Sequence, residues 1–85
     1  MEIKELVALG AKLLKLSVEE AEQYSEYFAE EKALYMSVPV KGGASLLVAE
    51  DGSVLYANSS VNLNVHLREF RAGRRTPLEA FSANE

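Results

Sequence analysis

The sequence contains no cysteine, which removes disulfides, thiolate metal sites, iron–sulfur clusters and cysteine nucleophiles from the chemistry open to it. A single histidine, His66, is too few for a histidine-rich metal centre. The longest uninterrupted apolar stretches run to four residues, against roughly 20 for a membrane-spanning helix. Met-Glu-Ile-Lys-Glu at the start lacks the basic region, apolar core and cleavage site of a secretory signal. Gly42 and Gly43 are not followed by the Lys-Ser/Thr pair and helix of a phosphate-cradling loop. These absences lead us to expect a cytoplasmic protein with no membrane association, cofactor, metal or catalytic activity.

What is present is the balance of an ordinary globular chain: 85 residues, 48% hydrophobic and 26% charged. That size gives one domain, 1–85, with a small core and modest stability. Charge is segregated. Residues 1–34 hold eight Glu against four Lys, whereas residues 35–85 balance five basic against five acidic groups.

Ile3, Leu6, Val7, Gly10, Leu13 and Leu14 recur at helical spacing, so residues 2–15 read as an amphipathic helix. Gly10 lowers helix propensity by about 1 kcal/mol relative to Ala, which points to close approach by another element. Ser17-Val-Glu-Glu20 has the form of a capping box and starts a second helix, with Ala21, Tyr24, Phe28 and the stem of Lys32 along one face. From Tyr35 the period becomes two, with Met36, Val38 and Val40 alternating against Tyr35, Ser37 and Pro39. Pro39 cannot donate to a sheet ladder, so that strand should lie at a sheet edge or end near that position. After a turn at Lys41-Gly42-Gly43, the runs 45–50 and 53–58 hinge on Asp51-Gly52, which predicts a two-residue hairpin turn.

A third helix is expected near 62–72, ending at Gly73. Thr76-Pro-Leu-Glu79 then repeats the grammar of a helix start, and 82–85 should fray. The expected fold is α+β: two helices, a three-stranded antiparallel meander and a C-terminal helix (ααβββα), with the helices on one sheet face. Its core should draw on Leu6, Leu13, Tyr24, Phe28, Val38, Leu47, Val54, Tyr56, Leu67 and Phe70.

No nucleophile or orienting acid stands at a telling distance from His66, so a structural histidine is the simpler reading. Glu50 and Asp51 are explained by the turn, and Ser59 and Ser60 by helix capping. The strongest polar feature is Arg68, Arg71, Arg74 and Arg75 within one short segment. Guanidinium forks there can grip carboxylates or phosphates, or complement the negative end of a helix dipole. The negative net charge of −4 disfavours nucleic acid.

Leu46 to Asn58 resembles the opening hairpin of a PAS sensor domain, but the residues after Asn58 are too few for the remainder of that fold. Across Val38 to Phe70, the Gly-Gly lead-in, Asp-Gly hairpin, Asn-Ser-Ser-Val exit and amphipathic helix with a late aromatic are similar in layout to small bacterial immunity proteins of polymorphic-toxin systems. That resemblance implies a compact binder without catalysis of its own. The leading expectation is therefore a protein-interaction module: an inhibitor, or a homodimer using a free sheet face or edge strand. Tyr35, Arg68, Arg71, Arg74 and Arg75 are its contact residues. A small PAS-like ligand-sensing domain with a pocket beside Tyr56 and His66 is the alternative, and nucleic-acid binding through the arginines comes third.

Overall fold

The computed structural model describes residues 2–38, 43–58 and 60–82. In chain order the elements are α1 (Ile3–Leu14), α2 (Val18–Gln23), β1 (Ser25–Phe28), β2 (Ala33–Ser37), β3 (Ser45–Ala49), β4 (Val54–Ala57), α3 (Leu63–Arg71) and α4 (Glu79–Ser82). The fold is α+β, as expected, but its sheet has four strands in the order β1-β2-β3-β4, every neighbour antiparallel.

The additional strand lies where the second helix was expected to continue. The capping box forms: Ser17 Oγ accepts from the Glu20 amide at 3.1 Å, and the Ser17 amide donates to Glu20 Oε1 at 3.2 Å. Yet α2 ends at Gln23, and Tyr24 caps it at φ −103°. Continuing the helix would stack Glu22 over Glu26 and Glu26 over Glu30, like charges four residues apart. Ser25-Glu26-Tyr27-Phe28 instead supplies aromatic residues suited to a pleat, and in the strand Glu26 stays exposed. Of the two alternatives raised by Pro39, the strand ending nearby holds, since β2 stops at Ser37, and the edge position does not. The strand beginning near Tyr35 is internal, between β1 and β3, not at an edge. Pro39, which suggested the edge, lies with Lys41 and Gly42 outside the described residues.

The Asp51-Gly52 hairpin is present with a three-residue loop in place of two. The Ala49 amide donates to the Ser53 carbonyl at 2.8 Å and the Gly52 amide to the Ala49 carbonyl at 2.9 Å. Gly52 alone in the loop takes positive φ, 90°, the geometry of a β-turn followed by a bulge glycine. Asp51 Oδ1 accepts from the Ser53 amide at 2.9 Å and hydroxyl at 2.6 Å. The Ser53 hydroxyl is the main reason the Asp51 carboxyl titrates below its ordinary value.

All five residues of β3 are buried, so the sheet is covered on both faces, not one. On the first face Leu34, Met36, Leu46, Val48 and Val54 meet Leu6, Val7 and Ala11 of α1 and Ala21 of α2. On the second, Ala33, Leu47 and Ala49 meet Phe70 of α3, with Phe28, Tyr35, Leu55 and Leu67 around them. Of the expected core, Leu6, Leu47, Val54 and Phe70 are buried, while Leu13, Tyr24, Phe28, Val38 and Leu67 are only half-buried. Tyr56 is exposed at 43% because its strand lies at the sheet edge.

The C-terminal part follows expectation in α3 and in the short helix α4, whose Phe81 packs onto the first core, and departs from it at Thr76. Asn62 caps α3 by accepting from the Val65 amide at 2.9 Å, and Gly73 leaves the helix at φ 93°. Thr76 does not open a helix. Its amide donates to the Val54 carbonyl at 2.7 Å, and its Oγ1 accepts from the Tyr56 amide at 2.9 Å. Residues 83–85 of the expected frayed tail lie outside the described residues.

Gly10 is the point of closest approach between α1 and the sheet. A Cβ there would sit 2.6 Å from Met36 Cε and 3.6 Å from Val48 Cγ2, and Met36 is fully buried. Gly10→Val is therefore expected to destabilise the protein by about 1–3 kcal/mol in urea unfolding. In a Met36→Ala background, where the obstructing methyl is gone, Gly10→Ala should instead be neutral or stabilising, because the helix-propensity gain then stands alone.

Candidate functional site

His66 faces the sheet from α3 with 1% exposure. Its Nε2 lies 2.8 Å from the Leu55 carbonyl and its Nδ1 3.4 Å from Ser45 Oγ. A neutral imidazole satisfies both contacts, with Nε2–H donating to the carbonyl and Nδ1 accepting from the hydroxyl. Burial pushes its pKa below the ordinary 6.5, with the Leu55 carbonyl acting in the opposite direction. Tyr35 meets the imidazole edge-on at 6.0 Å and stacks on Phe28 at 5.8 Å. Tyr35 and His66 are thus brought together in the layer beneath α3.

Sequence reasoning grouped the four arginines, but the fold gives three of them separate partners. Arg71 pairs with Glu31 of the β1–β2 turn, its Nε donating to Glu31 Oε2 at 2.7 Å. Arg74 Nε pairs with Glu69 Oε2 at 2.8 Å. Arg75 lies over the Phe70 ring, 3.8 Å from its centroid, and donates to Ser53 Oγ and to the Phe70 carbonyl, each at 2.9 Å. It therefore clamps the end of α3 onto the β3–β4 hairpin. Of the four, only the Arg68 side chain is exposed without a hydrogen bond or ion pair among the described residues.

Three surface clefts border these elements. One of about 240 Å³ lies beside Tyr56 and His66, with Val61, Val65 and Arg74 at its walls. A second, about 350 Å³, is floored by Leu13, Tyr56 and Phe81 with Lys15 at its side. The third, about 300 Å³, runs between the end of β1 and α3, lined by Tyr27, Phe28, Ala29 and Leu67 and rimmed by Glu30 and Glu31. No group of three or more His, Cys, Asp or Glu side chains that could hold a metal occurs among the described residues.

The two sheet edges are unlike. Antiparallel pairing alternates residues that bond to the neighbour with residues whose backbone points away. The Ser37 amide donates to the Tyr24 carbonyl at 3.2 Å, so with the β1–β2 register Glu26 and Phe28 bond to β2 while Ser25 and Tyr27 point outward. At the opposite edge the outward residues are Val54 and Tyr56, and Thr76 satisfies the carbonyl of the first and the amide of the second. No such cover lies on Ser25 and Tyr27 among the described residues. The Tyr27 hydroxyl donates to Glu50, which raises the phenol pKa above its ordinary value and anchors β1 to the hairpin loop.

This open edge is what sequence reasoning missed. The alternation Ser25-Glu26-Tyr27-Phe28 was its only local signal. The capping box immediately upstream and a glutamate spacing compatible with a helix outweighed it.

Because the folded-state pKa of His66 lies below 6.5, the unfolded chain binds the proton first. Stability is then full above about pH 6.5 and falls as pH drops from there towards the folded-state pKa, by at most about 1.4 kcal/mol per unit. Urea midpoints between pH 7.5 and 5 should show this slope in the wild type and lose it in His66→Gln. Arg75→Ala should lower stability by about 1–2 kcal/mol through the lost ring contact and hydrogen bonds, whereas Arg68→Ala should stay within about 0.5 kcal/mol. No family model matches the sequence, and no curated protein or solved structure is detectably similar to it.

Proposed function

We propose that the chain is a non-enzymatic protein-binding module, an inhibitor or accessory subunit, which receives its partner along β1. The observation that carries this reading is the inequality of the edges: Thr76 closes β4, whereas the outward backbone of Ser25 and Tyr27 is left for another molecule. Unpaired strand edges are natural templates for protein partners.

The other candidate surfaces have less support. The free sheet face imagined for a homodimer is occupied by α3. The cleft beside Tyr56 and His66 is smaller than the roughly 300–1,000 Å³ usual for small-molecule sites, and both ring nitrogens of His66 already have partners. For nucleic acid, three of the four arginines are engaged within the fold.

Charge argues for a partner other than a second copy. In a two-fold pairing of β1 with itself through Ser25 and Tyr27, Glu26 faces Glu26. Like charges directly opposite in a sheet are destabilising.

Light scattering should therefore return the mass of a single chain up to about millimolar concentration at low salt, where charge repulsion is least screened; a concentration-dependent dimer sinks the heterologous version. Capture from the native lysate should yield a stoichiometric partner on the wild type and lose it on Glu26→Lys/Glu30→Lys. Equal retention by both proteins would show that β1 is not the docking edge.

A further inference from the structure

Resting on the assignment of β1 as the docking edge, we infer that its occupant is an extended, lysine- or arginine-bearing segment of another protein, added as a fifth strand, with one apolar side chain in the groove between Phe28 and Leu67.

The backbone sets the form of the occupant. Ser25 and Tyr27 each present an amide and a carbonyl outward, in the plane of the sheet and on one side of β1. An extended chain about 4.8 Å away satisfies all four groups, whereas a helix has no free backbone groups to offer them. The edge is accessible because β1 is only four residues long and follows α2 with a single intervening residue. No element crosses it among the described residues.

Electrostatics set the sign. Between Ser17 and Glu31 the chain carries six glutamates and neither lysine nor arginine. Glu20 is used in the α2 cap and Glu31 in the pair with Arg71. Glu19, Glu22, Glu26 and Glu30 are exposed and have no side-chain partner among the described residues. Glu26 lies on β1 itself and Glu30 in the turn beyond it, on the rim of the groove, while Glu19 and Glu22 lie on α2 just before the strand. A basic strand meets opposite charge at Glu26 and Glu30, whereas an acidic strand, a nucleic acid or a second copy meets repulsion there.

The apolar groove supplies a second, non-electrostatic criterion. Its walls, Tyr27, Phe28, Ala29 and Leu67, join the end of β1 to α3, and Phe28 is held in place by its stack on Tyr35. At about 300 Å³ it has room for a branched aliphatic side chain. Glu30 on the rim lies where a basic neighbour of that side chain would fall, while Glu31 beside it is held by Arg71.

The test uses the full chain, labelled for NMR, and a capped heptapeptide alternating lysine and valine. At about 20 mM salt, where the Debye length is about 20 Å or more, the peptide should shift and protect the Ser25 and Tyr27 amides, leaving those of Val54 and Tyr56 unchanged. Affinity should fall about tenfold or more on N-methylation of alternate peptide amides, on Glu26→Lys/Glu30→Lys, or on raising salt to about 500 mM. Equal binding by the N-methylated peptide, or by a glutamate–valine peptide, overturns the inference. Shifts confined to Glu19 and Glu22, with no protection at Ser25 and Tyr27, overturn it as well. If a lysate partner is lost on Glu26→Lys/Glu30→Lys while no basic strand peptide binds, β1 stands as the docking surface and the basic fifth strand does not.

Discussion

The structure depends on one constraint: the five residues of β3 are buried on both faces. A half-covered sheet would tolerate polar residues on alternate positions of that strand, but Leu46, Leu47 and Val48 in succession do not permit it. Two layers of cover are then obligatory. α1 and α2 supply the first from the N-terminal side, and α3 supplies the second after the hairpin has reversed the chain. In so short a chain each layer is thin, so contacts at single positions matter. The bare backbone of Gly10 lets α1 approach Met36, and Phe70 is the one buried apolar side chain that α3 contributes, beside the buried His66.

The polar side chains that invited functional interpretation mostly serve this second layer. His66 is a cross-brace between α3 and the sheet, bridging the β4 carbonyl of Leu55 and the β3 hydroxyl of Ser45. Arg75 ties the helix end to the hairpin loop, and Arg71 reaches the turn between β1 and β2. A single α3 with one buried aromatic has little apolar area, at roughly 25 cal/mol per Å², to hold itself on the sheet. Directional contacts around its perimeter complete the attachment. The acidic groups of α2, β1 and the turn beyond are arranged differently: Glu20 serves the α2 cap and Glu31 pairs with Arg71, and the others make no ion pair among the described residues.

What was legible in the sequence was local. Ser17 and Glu20 specify a helix start through bonds within one turn, and Asn62 does the same for α3. Asp51, Gly52 and Ser53 specify the hairpin, although the count of loop residues depended on the pairing of Ala49 with Ser53 and not on the Asp-Gly dipeptide alone. What was illegible required knowledge of distant partners. The strand at Ser25–Phe28 is stabilised by β2 and, through Tyr27, by Glu50; neither is visible from a glutamate spacing that also suits a helix. Thr76 has the chemistry of an N-cap, yet the β4 backbone claims it first. The arginines formed a cluster only along the chain, because helical rotation and the turn at Gly73 send them to different partners.

The seal that Thr76 places on β4 also fixes how far assembly can go. A sheet open at both edges can be extended without limit, each added strand offering a fresh edge to the next. Here growth is possible in one direction only, because the β4 edge is closed to a further strand. The domain is in that sense a terminator: it can stand at the end of an extended sheet but cannot bridge two others.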